Sequence, residues 1–292
     1  RDYNYLGYGY DVTGKYSHRS SIKSPILETP ALVNANSSSY LVGRVLISSF
    51  DWIYAEDALE LTKSLIGRDT TMLGYFKGNI THPFPDTDPT SSRYIYGLYD
   101  VYMKYKKFTI YATSSMLTTY QTQTFSKDVA LMTAGELVDK YGTHVILSLY
   151  TGAKLSIDYR AEFDGENRRK AIENSFRVGL AEGFNLFSGF LDPVDSSALK
   201  NVGSPYMVFE AIGGDPSKIV VDKNPQLGTK VNINGWRESI AESNARFIYI
   251  DDLSTLIPIS DLISDSDKKK EVQSYLDHYI KSHQIKLKDD LN

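Results

Sequence analysis

Between His144 and Phe163 the chain alternates in polarity for twenty residues, and few folds can accommodate such a run. Val145, Leu147, Leu149, Ala153, Leu155, Ile157, Tyr159, Ala161 and Phe163 fall on odd positions, with Thr151 among them. Even positions carry Lys154, Ser156, Asp158, Arg160 and Glu162 after Gly152. Successive strand side chains point to opposite faces, so one face is apolar and the other becomes strongly polar. Unbroken, the run would extend roughly 65 Å at about 3.3 Å per residue, whereas most strands stop within about ten residues. The pattern predicts a large bent sheet, or a wall built to enter a membrane.

Composition narrows the classes that could use such a strand. With 292 residues, 41% hydrophobic and 23% charged, the chain has the make-up of a folded protein with a sizeable core. A net charge of −4 offers no general attraction to nucleic acid or anionic lipid, so nucleic acid is not an expected partner. Cysteine is absent, which removes disulfides, thiolate metal sites and cysteine nucleophiles and leans toward a bacterial source. The 22 tyrosines suit half-buried strands, where a ring packs and its hydroxyl stays wet. No apolar run is long enough for a transmembrane helix. The chain opens Arg1-Asp2-Tyr3 like a mature or trimmed product, so any signal peptide or lipid anchor would lie outside it.

Along the chain, a turn-rich start precedes an expected strand at 40–47 and helical spacing over 55–67, with Ala58, Leu61, Leu65 and Ile66 on one side. Prolines 83, 85 and 89 mark a loop, and a tyrosine-rich strand is expected at about 93–112. Thr133-Ala134-Gly135-Glu136 has the form of a capping box opening a short helix, and Gly142 stands where a helix-ending glycine belongs. Residues 166–200 read as helical, 206–212 as a strand ending at Gly213-Gly214-Asp215, and 253–263 and 268–283 as helices. The mixture predicts an α+β fold with an antiparallel sheet.

Residues 171–188 fit two periods at once. As a helix, Ile172, Phe176, Leu180 and Phe184 form one stripe; as a strand, those four join Val178 and Leu186 on the even face. Gly179 and Gly183 each weaken a helix by about 1 kcal/mol relative to alanine. Such a segment could rest as a helix and become an amphipathic strand, the form a barrel in lipid requires. Chance agreement of six apolar residues with two templates is the alternative.

Tyr141-Gly142-Thr143-His144, followed by seven residues and Gly152, resembles the signature of the membrane attack complex/perforin (MACPF) family. The order of features supports this resemblance: a helical cluster before the signature, another after the long strand, then Gly213-Gly214-Asp215, Trp236 and terminal helices. Val145 stands where the family usually has an aromatic residue, and Ala153 where it often has a second glycine at the bend. The resemblance covers about 5–285 and points to the bacterial, Bacteroides-like branch. It implies one MACPF/cholesterol-dependent-cytolysin-like domain over 1–292, with a bent central sheet of about four strands and two flanking helical clusters. Those clusters would be about 55–92 and 164–203, each unfurling into a β-hairpin as subunits assemble into a ring or arc on a target membrane. Tyr141, Gly142, Thr143, His144, Gly152, Gly213 and Gly214 would then be signature and hinge residues. Ile172, Phe176, Val178, Leu180, Phe184 and Leu186 would enter the membrane. The first cluster fits less well, since Lys63 interrupts its odd-position leucines.

The implied protein is secreted or held at the cell surface, a toxin or antibacterial effector without a cofactor, with a further domain possible beyond Asn292. A non-lytic adhesion or binding module keeping the fold is the alternative. The five histidines, at 18, 82, 144, 278 and 283, form no metal-binding spacing, so His144 reads as structural. Asp86, Asp88 and Asp100 lack the spacing of a calcium loop. A glycan hydrolase would need paired carboxylates in a cleft, and no sequence motif supplies them.

Overall fold

The computed structural model describes residues 2–65, 84, 87–88, 91–186, 193–224, 228–250 and 255–283. Strands β1 (Tyr8–Tyr10) and β2 (Ile22–Pro25) and helix α1 (Thr29–Ala35) open the chain. A long strand β3 (Tyr40–Ala55), helix α2 (Ala58–Leu65) and a second long strand β4 (Tyr94–Ile110) follow. Helices α3 (Ser114–Thr119), α4 (Gln123–Leu131) and α5 (Ala134–Tyr141) lead into β5 (His144–Ile146) and the third long strand, β6 (Ser148–Glu162). Next come α6 (Arg168–Phe184), β7 (Tyr206–Ile212) and a hairpin of β8 (Val220–Asn224) and β9 (Gly228–Asn232). Helix α7 (Asn234–Ser239), strands β10 (Arg246–Tyr249) and β11 (Leu256–Pro258), and helix α8 (Ser266–His283) complete the described elements.

The central antiparallel sheet is four positions wide: β3, β4, β6, and a fourth place shared by β10 at one end of β6 and β7 along the rest. A smaller sheet runs β11-β5-β1-β2. The alternating run of 144–163 is therefore not one strand. It leaves the small sheet after Ile146, and beyond Leu147 it enters the large one. Alternation records extended backbone but not the identity of its neighbours, so it continues unbroken where the chain changes sheets.

Other expectations shift for similar reasons. The strand expected at 40–47 continues to Ala55, because an edge strand need not alternate cleanly. The helix expected over 166–200 ends at Phe184, where Asn185 takes the left-handed conformation and caps it. Of 253–263, read as helical, 256–258 is a strand paired with β5 and 259–262 a short 3₁₀ turn; 253 and 254 lie outside the described residues. The Thr133–Glu136 capping box is present, and so is the strand at 206–212.

The bend is built from a line of irregularities crossing the sheet at one level. Opposite Gly152 and Thr151, β4 carries an extra residue at Tyr105, and β3 carries Val45 and Leu46 unpaired opposite it; one step along, β10 carries an extra residue at Ile248 between the partners of Thr151 and Tyr150. Bulges bend a strand and increase its twist, and aligned bulges bend the sheet. Gly152 lies so close to β4 that a Cβ there would strike the Met103 carbonyl, whereas Gly43 in β3 faces open space. Gly152→Ala should therefore lower the thermal midpoint by several degrees, as backbone cannot move aside cheaply, while Gly43→Ala should leave it nearly unchanged. Calorimetry of the two variants checks this, and equal effects would contradict the close approach.

Candidate functional site

Residues directly opposite one another in the ladders share a face, so the register places the two helical clusters. Tyr54, Gly97 and Tyr159 form one row, on the apolar face of β6. There α6 lays down Ile172, Phe176, Leu180 and Phe184, all buried, at the fourfold spacing of a helix. Phe176 sits in the space Gly97 leaves: a Cβ on Gly97 would enter its ring. Its ring also packs on Tyr159, 4.9 Å between centroids, and edge-on to Tyr54 at 6.1 Å. Gly179 likewise makes room for the Met207 methyl. Val178 lies off this stripe and is only half-buried, and Leu186 is buried just past the helix end.

The adjoining row, Ala55, Tyr96 and Arg160, faces the other way. Helix α2 covers it with Ala58, Leu61 and Leu65, joined by Phe84 against Tyr96. The sheet end is thus held between two helices on opposite faces. Lys63 is exposed, on the outer side of α2. The remainder of the first cluster, including Ile66 and most of 66–92, lies outside the described residues, as do 187–192 of the second.

Gly213 and Gly214 adopt φ of 70° and 62°, ending β7 in a turn only glycine makes without strain. A Cβ on Gly213 would collide with the Gly152 carbonyl, so this turn rests against the bend. The buried Trp236 of α7 donates from Nε1 to the Gly213 carbonyl at 2.8 Å, and Asp215 N–H donates to Ser239 Oγ at 2.8 Å. Gly152, Gly213 and Gly214 are brought together, although 61 residues separate Gly152 and Gly213 in the chain.

Tyr141, Gly142, Thr143 and His144 lie elsewhere, at the junction of α5 and β5. Tyr141 donates to Asp128 Oδ2 at 2.5 Å and stands edge-on to Phe125. Gly142 has φ of 74°, and a Cβ there would meet the Tyr10 carbonyl. Thr143 Oγ1 donates to Tyr10 O and accepts from Val12 N–H, while its carbonyl accepts from Ile259 N–H. His144 is fully buried, and burial holds its imidazole neutral, down to about 3. The four residues join the chain's beginning and its later strands to one helix end. Among the described residues, no group of His, Cys, Asp and Glu could hold a metal ion.

One cluster escaped sequence reasoning. Across the polar face at mid-sheet, Asp51, Asp100, Ser156 and Glu210 form a single cross-strand row, flanked on β6 by Lys154 and Asp158. Ser156 donates to Asp100 at 2.6 Å, Lys154 Nζ lies 3.9 Å from the same carboxylate, and His18 Nε2 is 2.8 Å from Glu210. The 12–21 segment covers this row from the other side, with Lys15 3.6 Å from Glu210. Burial, and next the Asp100 charge, push Asp158 up to about 6, and burial lowers Lys154. Alternation marks these side chains as polar, but only register shows which of them meet.

A carboxyl raised above its unfolded value favours the folded state at low pH, and that contribution is lost as pH rises through about 6. Asp158→Asn should therefore raise stability at pH 8, by at most about 3 kcal/mol, with the gain gone near pH 4. Thermal melts across that range check it; a gain confined to acid pH would contradict it.

Three comparisons with known proteins bear on this geometry. The family model described as the MAC/Perforin domain matches residues 87–288. A MAC/Perforin-domain protein of Bacteroides thetaiotaomicron VPI-5482, described as a cell invasion protein, superposes with a TM-score of 0.71 and 16% identity, over 98% of this chain and 61% of its own. GNIP1Aa from Chromobacterium piscinae gives 0.64 and 18%, over 96% of this chain and 56% of its own. No curated protein matches. At these identities the solved structures speak to fold alone, and this chain spans less than two thirds of either one. The family model covers more than half of the chain: the chain belongs to the MAC/Perforin (MACPF) family.

Proposed function

We propose that the chain is the membrane-acting unit of a secreted or surface-held pore-forming protein, a toxin or antibacterial effector. In this reading it meets a target membrane, assembles into a ring or arc, and extends β6, β4 and β3 as hairpins drawn from about 55–92 and 164–203. The observation that carries the proposal is α6. Its buried stripe uses Ile172, Phe176, Leu180 and Phe184, yet Val178 and Leu186, which the stripe does not need, bring the apolar residues on the even-numbered face to six of eight, with Asn174 and Glu182 the exceptions. The hinge role of Gly152, Gly213 and Gly214 belongs to the same proposal, as does the view of residues 1–292 as a single domain.

A further feature supports it. The outer edge of β3 pairs with no other strand among the described residues. It exposes Leu41, Leu46, Ile47, Phe50 and Trp52, with the Phe50 and Trp52 rings stacked 5.9 Å apart. A long, apolar, unpaired edge is a template for another strand, which a neighbouring subunit would supply. No described helix is long and apolar enough to cross a membrane. A non-lytic adhesion module is the second reading, favoured by Lys63 among the leucines of α2. Of the carboxylates on the sheet, Asp100 is engaged by Ser156 and Lys154, and Glu210 by Lys15 and His18.

A cysteine pair, Gly97→Cys with Phe176→Cys, would tie α6 to the sheet, and no native cysteine interferes. The oxidised protein should release no dye from susceptible vesicles or cells and the reduced protein should release it. Equal release in both states would contradict unfurling, and no release or rings from the unmodified protein would favour the adhesion reading.

A further inference from the structure

We propose that Arg168 and Arg169, in the first turn of α6, form a clamp that reaches round the end of the central sheet and makes the two helical clusters leave it as one unit. The inference rests on the pore-forming reading for its role in insertion, but the coupling itself is a property of the protein in solution.

The contacts converge on one place. Arg168 donates to three backbone carbonyls: Glu56 from Nε at 2.7 Å, Tyr94 from Nη2 at 3.0 Å and Phe163 from Nη1 at 3.3 Å. These carbonyls lie just past the end of β3, at the first residue of β4 and just past the end of β6. Arg169 donates to the Tyr54 carbonyl at 2.9 Å, pairs with the Glu60 carboxylate, and lies 3.4 Å from the Glu56 carboxylate. Glu60 belongs to α2, and its second oxygen accepts from Glu56 N–H at 3.1 Å, closing the start of that helix. Two arginines of one cluster thereby hold the entry to the other, although α2 and α6 cover opposite faces of the sheet.

Helix stability does not account for these residues. Positive charge in a first turn opposes the helix dipole, and the N-terminal amides already have a cap in Asn167, which accepts from Lys170 N–H. What the arginines occupy is the set of carbonyls that a strand growing past the sheet end would hand to a neighbouring strand. While the clamp is closed, β3, β4 and β6 cannot be extended. Once Arg169 leaves Glu60, the α2 entry loosens, and once Arg168 leaves its carbonyls, the ends of β3 and β4 are free, while 201–203 still pair beside the end of β6. Arginine suits this role because one planar guanidinium serves several acceptors, which a lysine ammonium cannot reproduce in the same geometry.

The test is amide hydrogen exchange on the soluble protein, following 58–65 and 168–184, with α5 and α8 as internal references. Arg168→Lys and Arg169→Glu should each raise exchange in both helices together, on the order of tenfold, with the references unchanged. The double variant Arg169→Glu with Glu60→Arg should restore protection in both. Faster exchange in α6 alone, with α2 unaffected, would overturn the coupling, as would a double variant no better than the single ones. If Arg169→Glu disturbs the references, the milder Arg169→Gln carries the same test. In dye release, the clamp variants should shorten the lag before permeabilisation. An unmodified protein that releases no dye would defeat the pore-forming reading and leave the exchange result to decide the clamp.

Discussion

An apolar strand face cannot be left in water, and the odd-numbered face of β6 is the surface on which the rest of this structure depends. Ala153, Leu155, Ile157, Tyr159 and Ala161 are fully buried, and what buries them is α6 with the β9 strand and α7. Each large side chain so covered is worth about 1.5–3 kcal/mol relative to exposure, so the helix is held by its stripe more than by its own propensity. Its two glycines and its polar outer face leave little else to sustain it. The same dependence makes α6 replaceable: any other apolar surface that accepted its stripe would compete with the sheet for it.

The bend organises what lies around that face. Bulges in three strands align with Gly152, and the Gly213-Gly214 turn rests directly on it, held by the Trp236 hydrogen bond. On one side of the bend the sheet packs into the large core containing the signature; on the other it runs out between α6 and α2. The polar face at mid-sheet carries buried charge, and Asp158, pushed up to about 6, marks a stretch not optimised for stability at neutral pH. Under the proposed pore-forming role, a face that comes to meet water inside a barrel has reason to stay charged.

Much of this architecture was legible in the sequence wherever a local rule governs. The capping box at Thr133, the glycine ending α5, the strand at 206–212 and the stripe of α6 each follow from side chains a few positions apart. The rest depends on neighbours that no local pattern names. Alternation could not reveal that the chain changes sheets at Leu147. The exposed Phe50 and Trp52 on the β3 edge hid the length of that strand, and the short β10 and β11 exist only through their partners. The candidate site divides in the same way. The period-two face of α6 could be read residue by residue, but the Asp100–Lys154–Asp158 cluster and the Arg168–Arg169 contacts required the register of four strands and the placement of two helices.

The central claim is that residues 172–186 change period when they meet a membrane. The absence of native cysteine allows an environment-sensitive fluorophore to be placed on one introduced cysteine at a time through that segment. In solution, burial should follow the helix, greatest at 172, 176, 180 and 184. On susceptible membranes the account expects a switch to period two, with 172, 176, 178, 180, 184 and 186 reporting lipid and the odd positions reporting water. A membrane-bound profile that keeps the helical period, or shows no lipid exposure at 178 and 186, would contradict it.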